Sequence, residues 1–112
     1  MVVLVCGGRA YQNRTRVFYV LSKLHAERPI THVIHGAATG ADTLAGEWAR
    51  MEAIPCTEYP ADWATHGRAG GVIRNQHMLE AGPDLVVAFP GGRGTRDMIT
   101  RAGKAGVEVL AR

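Results

Sequence analysis

Three glycine-rich stretches of the 112-residue sequence have the composition of anion-binding loops. They are GGR at residues 7–9, HGAATGAD at residues 35–42 and PGGRGT at residues 90–95. Glycine lets backbone N–H groups approach a ligand closely, and the first turn of a helix adds partial positive charge. The residues of these stretches that we expect to bind a ligand are Gly7, Gly8, Arg9, Gly36, Thr39, Gly40, Asp42, Pro90, Gly91, Gly92, Arg93, Gly94 and Thr95.

The glycines have a second interpretation, in which they only make tight turns between strands and helices. A single stretch would favour that interpretation, because short glycine motifs are common. No Gly-Lys-Ser/Thr follows any of them, and GGR lacks the third glycine of the dinucleotide fingerprint. The sequence therefore disfavours a P-loop ATPase and a dinucleotide-dependent dehydrogenase.

Apolar, strand-like runs alternate with helix-like stretches along the chain. The strands are predicted at residues 2–6, 31–35, 56–59, 84–89 and 107–110, and helices at about 14–25, 41–50, 72–80 and 95–102, with a loop over 61–71. This alternation predicts an α/β fold, a small Rossmann-like three-layer sandwich with a five-stranded, mostly parallel sheet. The length fits a single domain over residues 1–112.

The expected strand order, 3-2-1-4-5, gives the glycine-rich stretches a common location. Strands 1 and 4 are then neighbours at the switch point of the sheet, where ligands bind outside the carboxyl ends of the strands. Each of the three stretches follows the end of a strand. Their convergence on one crevice favours a binding site over three unrelated turns.

Composition narrows the class of protein. Hydrophobic residues make up 46% and charged residues 21%, which argues against disorder. Two cysteines, Cys6 and Cys56, are too few for a disulfide framework, and no apolar run is long enough to cross a bilayer. No basic segment precedes the first apolar run, so we expect no signal peptide, no membrane association and a cytoplasmic location.

The charge pattern bears on the ligand. The net charge is +3, and eleven of the 13 basic residues are arginine, whose fork suits phosphate and carboxylate oxygens. A GC-rich genome would also produce an arginine-rich protein, and both explanations stay open. The basic residues are scattered with no run of four, so nucleic acid is not the expected partner.

The motifs together resemble a known family. GGR-x-Y, HGAATGAD-x-LA, an IRN segment at residues 73–75 and AFPGGRGT-x-DM are similar to the YspA/cpYpsA-related branch of the SLOG superfamily, named for the SMF/DprA and LOG proteins. The resemblance covers essentially the whole chain. It implies a Rossmann-like fold that binds a nucleotide or nucleotide-derived molecule, and it adds Arg74 and Asn75 to the ligand-binding residues.

The enzymatic relatives, which hydrolyse nucleoside monophosphates to the free base, carry PGGxGTxxE, and the resemblance implies a glutamate acting with an upstream arginine. Here Met98 stands at the glutamate position, and Asp97 lies about 100° away around the helix. Arg74 lies where the arginine is expected. The weak catalytic candidates are therefore Asp42, Asp97 and Arg74. Asp42 also has two other roles, as an acceptor for ribose hydroxyls or as a group that complements the helix dipole.

These observations predict a sensor or binding module for a nucleotide-like molecule. The alternative is a phosphoribohydrolase or N-glycosidase that uses Asp42 or Asp97, and a DNA-associated role by analogy with DprA is a third hypothesis. Five histidines show no zinc-site spacing, so neither a metal nor a cofactor is expected. We also expect a homo-oligomer, formed through helix faces that carry Phe18 or Met51.

Aromatic and other side chains near the loops have competing roles. Tyr11 and Trp63 are candidates for stacking on a base, although Trp63 would equally serve as a loop anchor. Trp48 lies on the apolar face of the second helix and is predicted to be core. His35 is interpreted as a hydrogen-bonded structural histidine, and Cys6 as a small buried hydrophobe.

Overall fold

The computed structural model describes all 112 residues, and strands alternate with helices throughout. The strands are β1 Val2–Cys6, β2 His32–His35, β3 Cys56–Glu58, β4 Leu85–Ala88 and β5 Glu108–Ala111. The helices are α1 Arg14–Glu27, α2 Ala41–Met51, α3 Trp63–His66, α4 Gly70–Glu80 and α5 Arg93–Lys104, with a 3₁₀ turn at Gly67–Ala69.

The five strands form one sheet in the order β3-β2-β1-β4-β5, and every pairing is parallel. The α/β, Rossmann-like class and the strand order are therefore confirmed, and the sheet is entirely rather than mostly parallel. β1 and β4 are neighbours in the register Val5 to Val87 and Cys6 to Ala88. The two strands end side by side, which places the loops at residues 7–9 and 90–95 next to each other.

The sheet lies between two helical layers because alternate residues of each strand face opposite sides. On β1, Val3 and Val5 join the apolar cluster with α1 and α2, which includes Trp48. Leu4 and Cys6 join a second cluster, with α4 and α5. Trp48 is fully buried, as predicted, and its indole N–H donates to the Ser22 hydroxyl at 2.9 Å.

The prediction of a loop over residues 61–71 is wrong. The segment contains α3, the 3₁₀ turn and the first residues of α4, which begins at Gly70 rather than at about residue 72. The Asp62 carboxylate caps α3 by accepting the Thr65 N–H at 3.0 Å. Gly67, Gly70 and Gly71 suggested a loop, but none of them lies in α3: Asp62 caps the start of this helix and Gly67, with φ +56°, ends it.

The outer faces of α1 and α2 carry the apolar residues considered for self-association. Phe18 is half-buried, and the Arg14 guanidinium covers its ring at 4.0 Å from the centroid. Met51 is exposed. No helix is both long and apolar enough to cross a membrane.

Candidate functional site

A cleft of about 910 Å³ opens at the carboxyl edge of the sheet, where β1 and β4 end. The predicted site residues that line it are Gly7, Gly8, Arg9, Asp42, Arg74, Asn75, Pro90, Gly91, Gly92, Arg93, Gly94 and Thr95. Gly36 and Thr39 line a smaller adjoining recess of about 250 Å³, which shares Arg9 and Arg74 with the cleft. Gly40 lies behind both, where its φ of +79° requires glycine at the start of α2.

The three loops meet at Gly8. Its N–H donates to the Pro90 carbonyl at 2.9 Å, and its carbonyl accepts the N–H of Ala41 at 3.2 Å. A Cβ on Gly8 would lie 2.9 Å from the Pro90 oxygen, so a larger residue would separate the loops. A Cβ on Gly40 or Gly91 would also lie less than 3 Å from the backbone of Gly8, so the convergence expected from the sequence depends on close backbone approaches at all three glycines.

The loop between β4 and α5 offers a row of free donors. The backbone N–H groups of residues 91–95 donate to no group of the chain, and no side chain caps α5 at Gly92. Consecutive free N–H groups at a helix start form a concave surface that binds anions. The Thr95 side chain, only 8% exposed, lines the cleft with a hydroxyl that makes no hydrogen bond. A hydroxyl that makes no hydrogen bond within the chain and lines the cleft is free to contact a ligand.

The loop between β2 and α2 is built differently, since its first amides point inward. The Asp42 carboxylate accepts the N–H of Gly36 at 3.1 Å and of Ala38 at 3.2 Å, both on Oδ2. The N–H of Ala37 donates to His35 Nδ1 at 3.0 Å. These three amides are unavailable to a ligand, so the first half of this loop presents the Asp42 carboxylate rather than a row of free N–H groups.

Asp42 and Arg74 form the polar floor of the cleft. Asp42 is 6% exposed, and burial raises the pKa of its carboxyl above the usual range, although Arg74 and the two amides oppose this rise. The Arg74 guanidinium is half-buried and donates to the carbonyls of Gly36 and Tyr59. Burial lowers the pKa of Arg74, and Asp42 opposes that change. Oδ1 of Asp42 makes no hydrogen bond within the chain and is the oxygen that is free to accept one from a ligand.

His35 is not the satisfied histidine predicted from the sequence. Its Nδ1 accepts the Ala37 N–H, which places the proton on Nε2, and Nε2 is buried without a hydrogen-bond partner. The nearest carboxylate oxygen, Oε1 of Glu58, lies 3.8 Å away. Burial lowers the pKa of His35. The imidazole is therefore neutral and holds the β2–α2 loop through Nδ1.

Asp97, the third catalytic candidate, and Met98, which stands at the glutamate position, both lie outside the cleft. Asp97 accepts hydrogen bonds from Asn75 Nδ2 at 3.0 Å and from Arg101 Nε at 2.8 Å. Met98 is fully buried in the apolar cluster with Leu4 and Met78. Asn75 also donates to the Gly94 carbonyl at 3.1 Å. Asn75 and Asp97 thus tie α4 to the start of α5, and neither Asp97 nor Met98 faces the ligand space.

The sequence reasoning missed several residues that line the cleft. These are Cys6, Ala10, Ala38, Arg68, Gly71, Val72 and Met78. Arg68 and Gly71 fell within the supposed loop, and the capping pattern that begins at Asp62 is the signal that could have placed them. Burial raises the pKa of the Cys6 thiol to about 12, so this cysteine carries no reactive thiolate. No group of three potential metal ligands exists in the chain.

Ala37, in the β2–α2 loop, has a left-handed backbone conformation, and the free-energy cost of this conformation can be measured. Its φ is +58°, a conformation that costs a non-glycine residue about 1 kcal/mol or more. We expect Ala37→Gly to raise the free energy of unfolding by about 1 kcal/mol in urea titrations. Ala53→Gly, at φ +56° after α2, should give a similar gain as a control. A less stable Ala37→Gly protein would contradict this account.

Comparisons with known proteins agree with the motifs. The profile of the YspA, cpYpsA-related SLOG family matches residues 1–66. The gene 61 protein of Mycobacterium phage D29 is 42% identical to this chain in an alignment of 116 positions. The alignment covers 96% of this chain and 93% of that protein. No solved structure matches the chain. The family match spans more than half of the residues, and the phage relative is similar over nearly all of them. The chain belongs to the YspA, cpYpsA-related SLOG family.

Proposed function

We propose that the protein binds a nucleotide or nucleotide-derived small molecule in the carboxyl-edge cleft, and that it works as a sensor or binding module. The observation that carries the proposal is the row of free N–H groups at residues 91–95 beside the Thr95 hydroxyl, which lines the cleft and makes no hydrogen bond within the chain. That arrangement suits a phosphate group. Family membership supports a nucleotide-related ligand.

The charges around the cleft support an anionic ligand. Arg9, Arg68, Arg74 and Arg93 line it, and the single carboxylate among the lining residues is Asp42. Arg9, Arg68 and Arg93 make no ion pair with any carboxylate of the chain. A concave site with unpaired cations attracts an anion, and guanidinium forks match phosphate oxygens in geometry.

Thr95→Ala tests the phosphate contact. A hydrogen bond to a charged group contributes about 1.5–3 kcal/mol, so we expect AMP affinity to fall by roughly tenfold or more in calorimetric titrations. Thr95→Ser keeps the hydroxyl and should retain most of the affinity. Thr100→Ala, an exposed position on the same helix, is the matched control and should bind AMP normally. Equal affinity in Thr95→Ala and the wild type would count against a phosphate at this loop.

The alternative function, hydrolysis of the N-glycosidic bond, is favoured by one observation, the position of Asp42 in the cleft. A buried carboxyl with a raised pKa is a frequent form of general acid or base. The structure leaves Asp42 as the single candidate carboxylate, since Asp97 is held outside by Asn75 and Arg101. We rank binding first because Asp42 is fixed by two amides on Oδ2, an arrangement suited to accepting hydroxyl hydrogen bonds.

A further inference from the structure

Trp63 presents a fixed aromatic surface to the cleft. It is the first residue of α3, it lines the cleft, and the residue is 45% exposed. The six-membered edge of the indole lies against the start of α4, where a Cβ on Gly70 would be 3.0 Å from Cε3 and one on Gly71 3.2 Å from Cη2. Alanine at either position would require the ring to move by a few tenths of an ångström. The two glycines therefore set the position of the indole rather than forming a flexible loop.

The Arg9 guanidinium covers the face of this ring, with Cζ at 5.1 Å from the ring centroid. The guanidinium makes no ion pair with any carboxylate of the chain. An exposed cation–π contact of this kind contributes about 0.5–1 kcal/mol. Arg9 is therefore held weakly over an aromatic surface that lines the proposed binding site.

Stacking of a nucleic-acid base on an aromatic side chain contributes about 1–3 kcal/mol, more than the contact that Arg9 makes. Arg9 also follows Gly8, whose N–H donates to Pro90 at 2.9 Å, so its backbone lies beside the loop with the free N–H groups. A guanidinium released from the ring can reach toward an anion bound there. Base and guanidinium thus compete for one surface, and the phosphate gives the displaced cation a partner.

Tyr11, the other aromatic residue in the lining, is unsuited to this role. Its ring lies 5.5 Å from that of Phe89, a fully buried residue of the core, and it is itself partly buried in that cluster. Trp63 has no such apolar partner on its covered face. Trp63 is therefore better suited than Tyr11 to stack on a base, because Tyr11 packs against the core residue Phe89 and Trp63 is covered by the Arg9 guanidinium.

We propose that the face of Trp63 is the subsite for the aromatic base of the ligand, that Arg9 competes with the base for this face, and that Arg9 turns to the phosphate when the base stacks. This inference rests on the proposed function, because it requires a nucleotide in the cleft. It narrows the ligand to molecules that carry both an aromatic base and an anionic group. A sugar phosphate alone would leave Arg9 on the ring.

The test compares AMP with ribose 5-phosphate, which shares the sugar and the phosphate but has no base. We expect AMP to bind the wild type more tightly, by roughly fivefold to 150-fold. Trp63→Leu should reduce this ratio toward one and leave ribose 5-phosphate affinity within about twofold of wild type, whereas Trp63→Phe should keep most of the ratio. Arg9→Gln should leave ribose 5-phosphate affinity within about twofold of wild type, because Arg9 stays on the ring with that ligand. It should weaken AMP binding and lower the ratio, because the contact of Arg9 with the phosphate is lost.

Fluorescence gives an independent readout. The chain has two tryptophans, and Trp48 is buried in the α1–α2 layer away from the cleft. In a Trp48→Phe protein, AMP should change the emission of Trp63 and ribose 5-phosphate should not. Equal affinities for the two ligands, or a Trp63→Leu loss that is the same for both, would overturn the base subsite and leave the anion site standing. Failure of both ligands to bind would overturn the proposed function as well.

Discussion

Met98→Glu is expected to unfold the domain instead of creating a glycosidase. The substitution restores the glutamate of PGGxGTxxE in sequence, but the Met98 side chain is fully buried in the apolar cluster of α4 and α5. Removing an ionised carboxylate from water costs several kcal/mol, against a total stability of about 5–15 kcal/mol for a domain of this size. Circular dichroism on heating should show loss of the cooperative transition near the wild-type temperature.

The control for this experiment is Met98→Leu. It keeps an apolar side chain of similar volume and should cost less than about 1.5 kcal/mol. A Met98→Glu protein that melts like the wild type would show that this side chain can reach water. Release of free base from AMP by that variant would show in addition that it can reach the cleft.

The arrangement of the sheet could be predicted because its signals are local and repeated. Val2–Cys6 and Leu85–Ala88 are continuously apolar, which is typical of parallel strands covered on both faces. Glycines follow β1, β2 and β4 at the point where the chain must turn toward a helix. Right-handed crossovers between parallel strands then restrict the possible orders to a few.

The segment before α4 could not be predicted, because its structure depends on tertiary contacts that outweigh local propensity. Gly70 and Gly71 are typical of a loop, yet they are the first residues of α4, and the Trp63 ring packs closely against both. The direction of the amides at Gly36 and Ala38 is also a tertiary property. It depends on the Asp42 carboxylate, four to six residues away in sequence.

In the candidate site, too, some features could be predicted from the sequence and others depend on tertiary contacts. Sequence placed the glycines, Arg74 and Asp42 at one edge of the sheet, and the structure brings Arg74 and Asp42 together on the floor of the cleft. Sequence alone assigned similar roles to the loops at residues 35–42 and 90–95. The structure separates them, because Asp42 and His35 accept the amides of Gly36, Ala37 and Ala38, whereas no group of the chain accepts the amides of residues 91–95. One loop can therefore hold an anion, and the other contributes a carboxylate beside it.

AMP is expected to remain intact in the presence of the protein, with no release of adenine above the uncatalysed rate. A carboxylate that assisted departure of the base would have to stabilise positive charge on the ribose, and each 1.4 kcal/mol of such stabilisation is worth about tenfold in rate. Asp42 is the one carboxylate lining the cleft. We expect it to accept hydrogen bonds from ribose hydroxyls, so Asp42→Asn should weaken AMP binding by roughly tenfold or more.

The same substitution has a second expected effect, of opposite sign, on stability. Burial raises the pKa of Asp42 above its unfolded value, so ionisation of this group favours the unfolded chain. The penalty is absent below the unfolded pKa, grows as the pH rises through the folded pKa, and is complete above it. Asparagine can still accept the N–H groups of Gly36 and Ala38 through its amide oxygen. Asp42→Asn should therefore melt at a higher temperature than the wild type at neutral pH, and the difference should vanish in acid.

These two effects distinguish a binding residue from a catalytic one. If Asp42→Asn is more stable than the wild type and binds AMP less tightly, and neither protein releases base, Asp42 is a hydroxyl acceptor at the floor of the cleft. Steady release of adenine by the wild type, abolished in Asp42→Asn while AMP still binds, would assign proton transfer to Asp42 and make the protein a phosphoribohydrolase. Chromatography of the reaction mixture at several pH values separates these outcomes, because a general acid or base would give a rate that follows the raised pKa of this carboxyl.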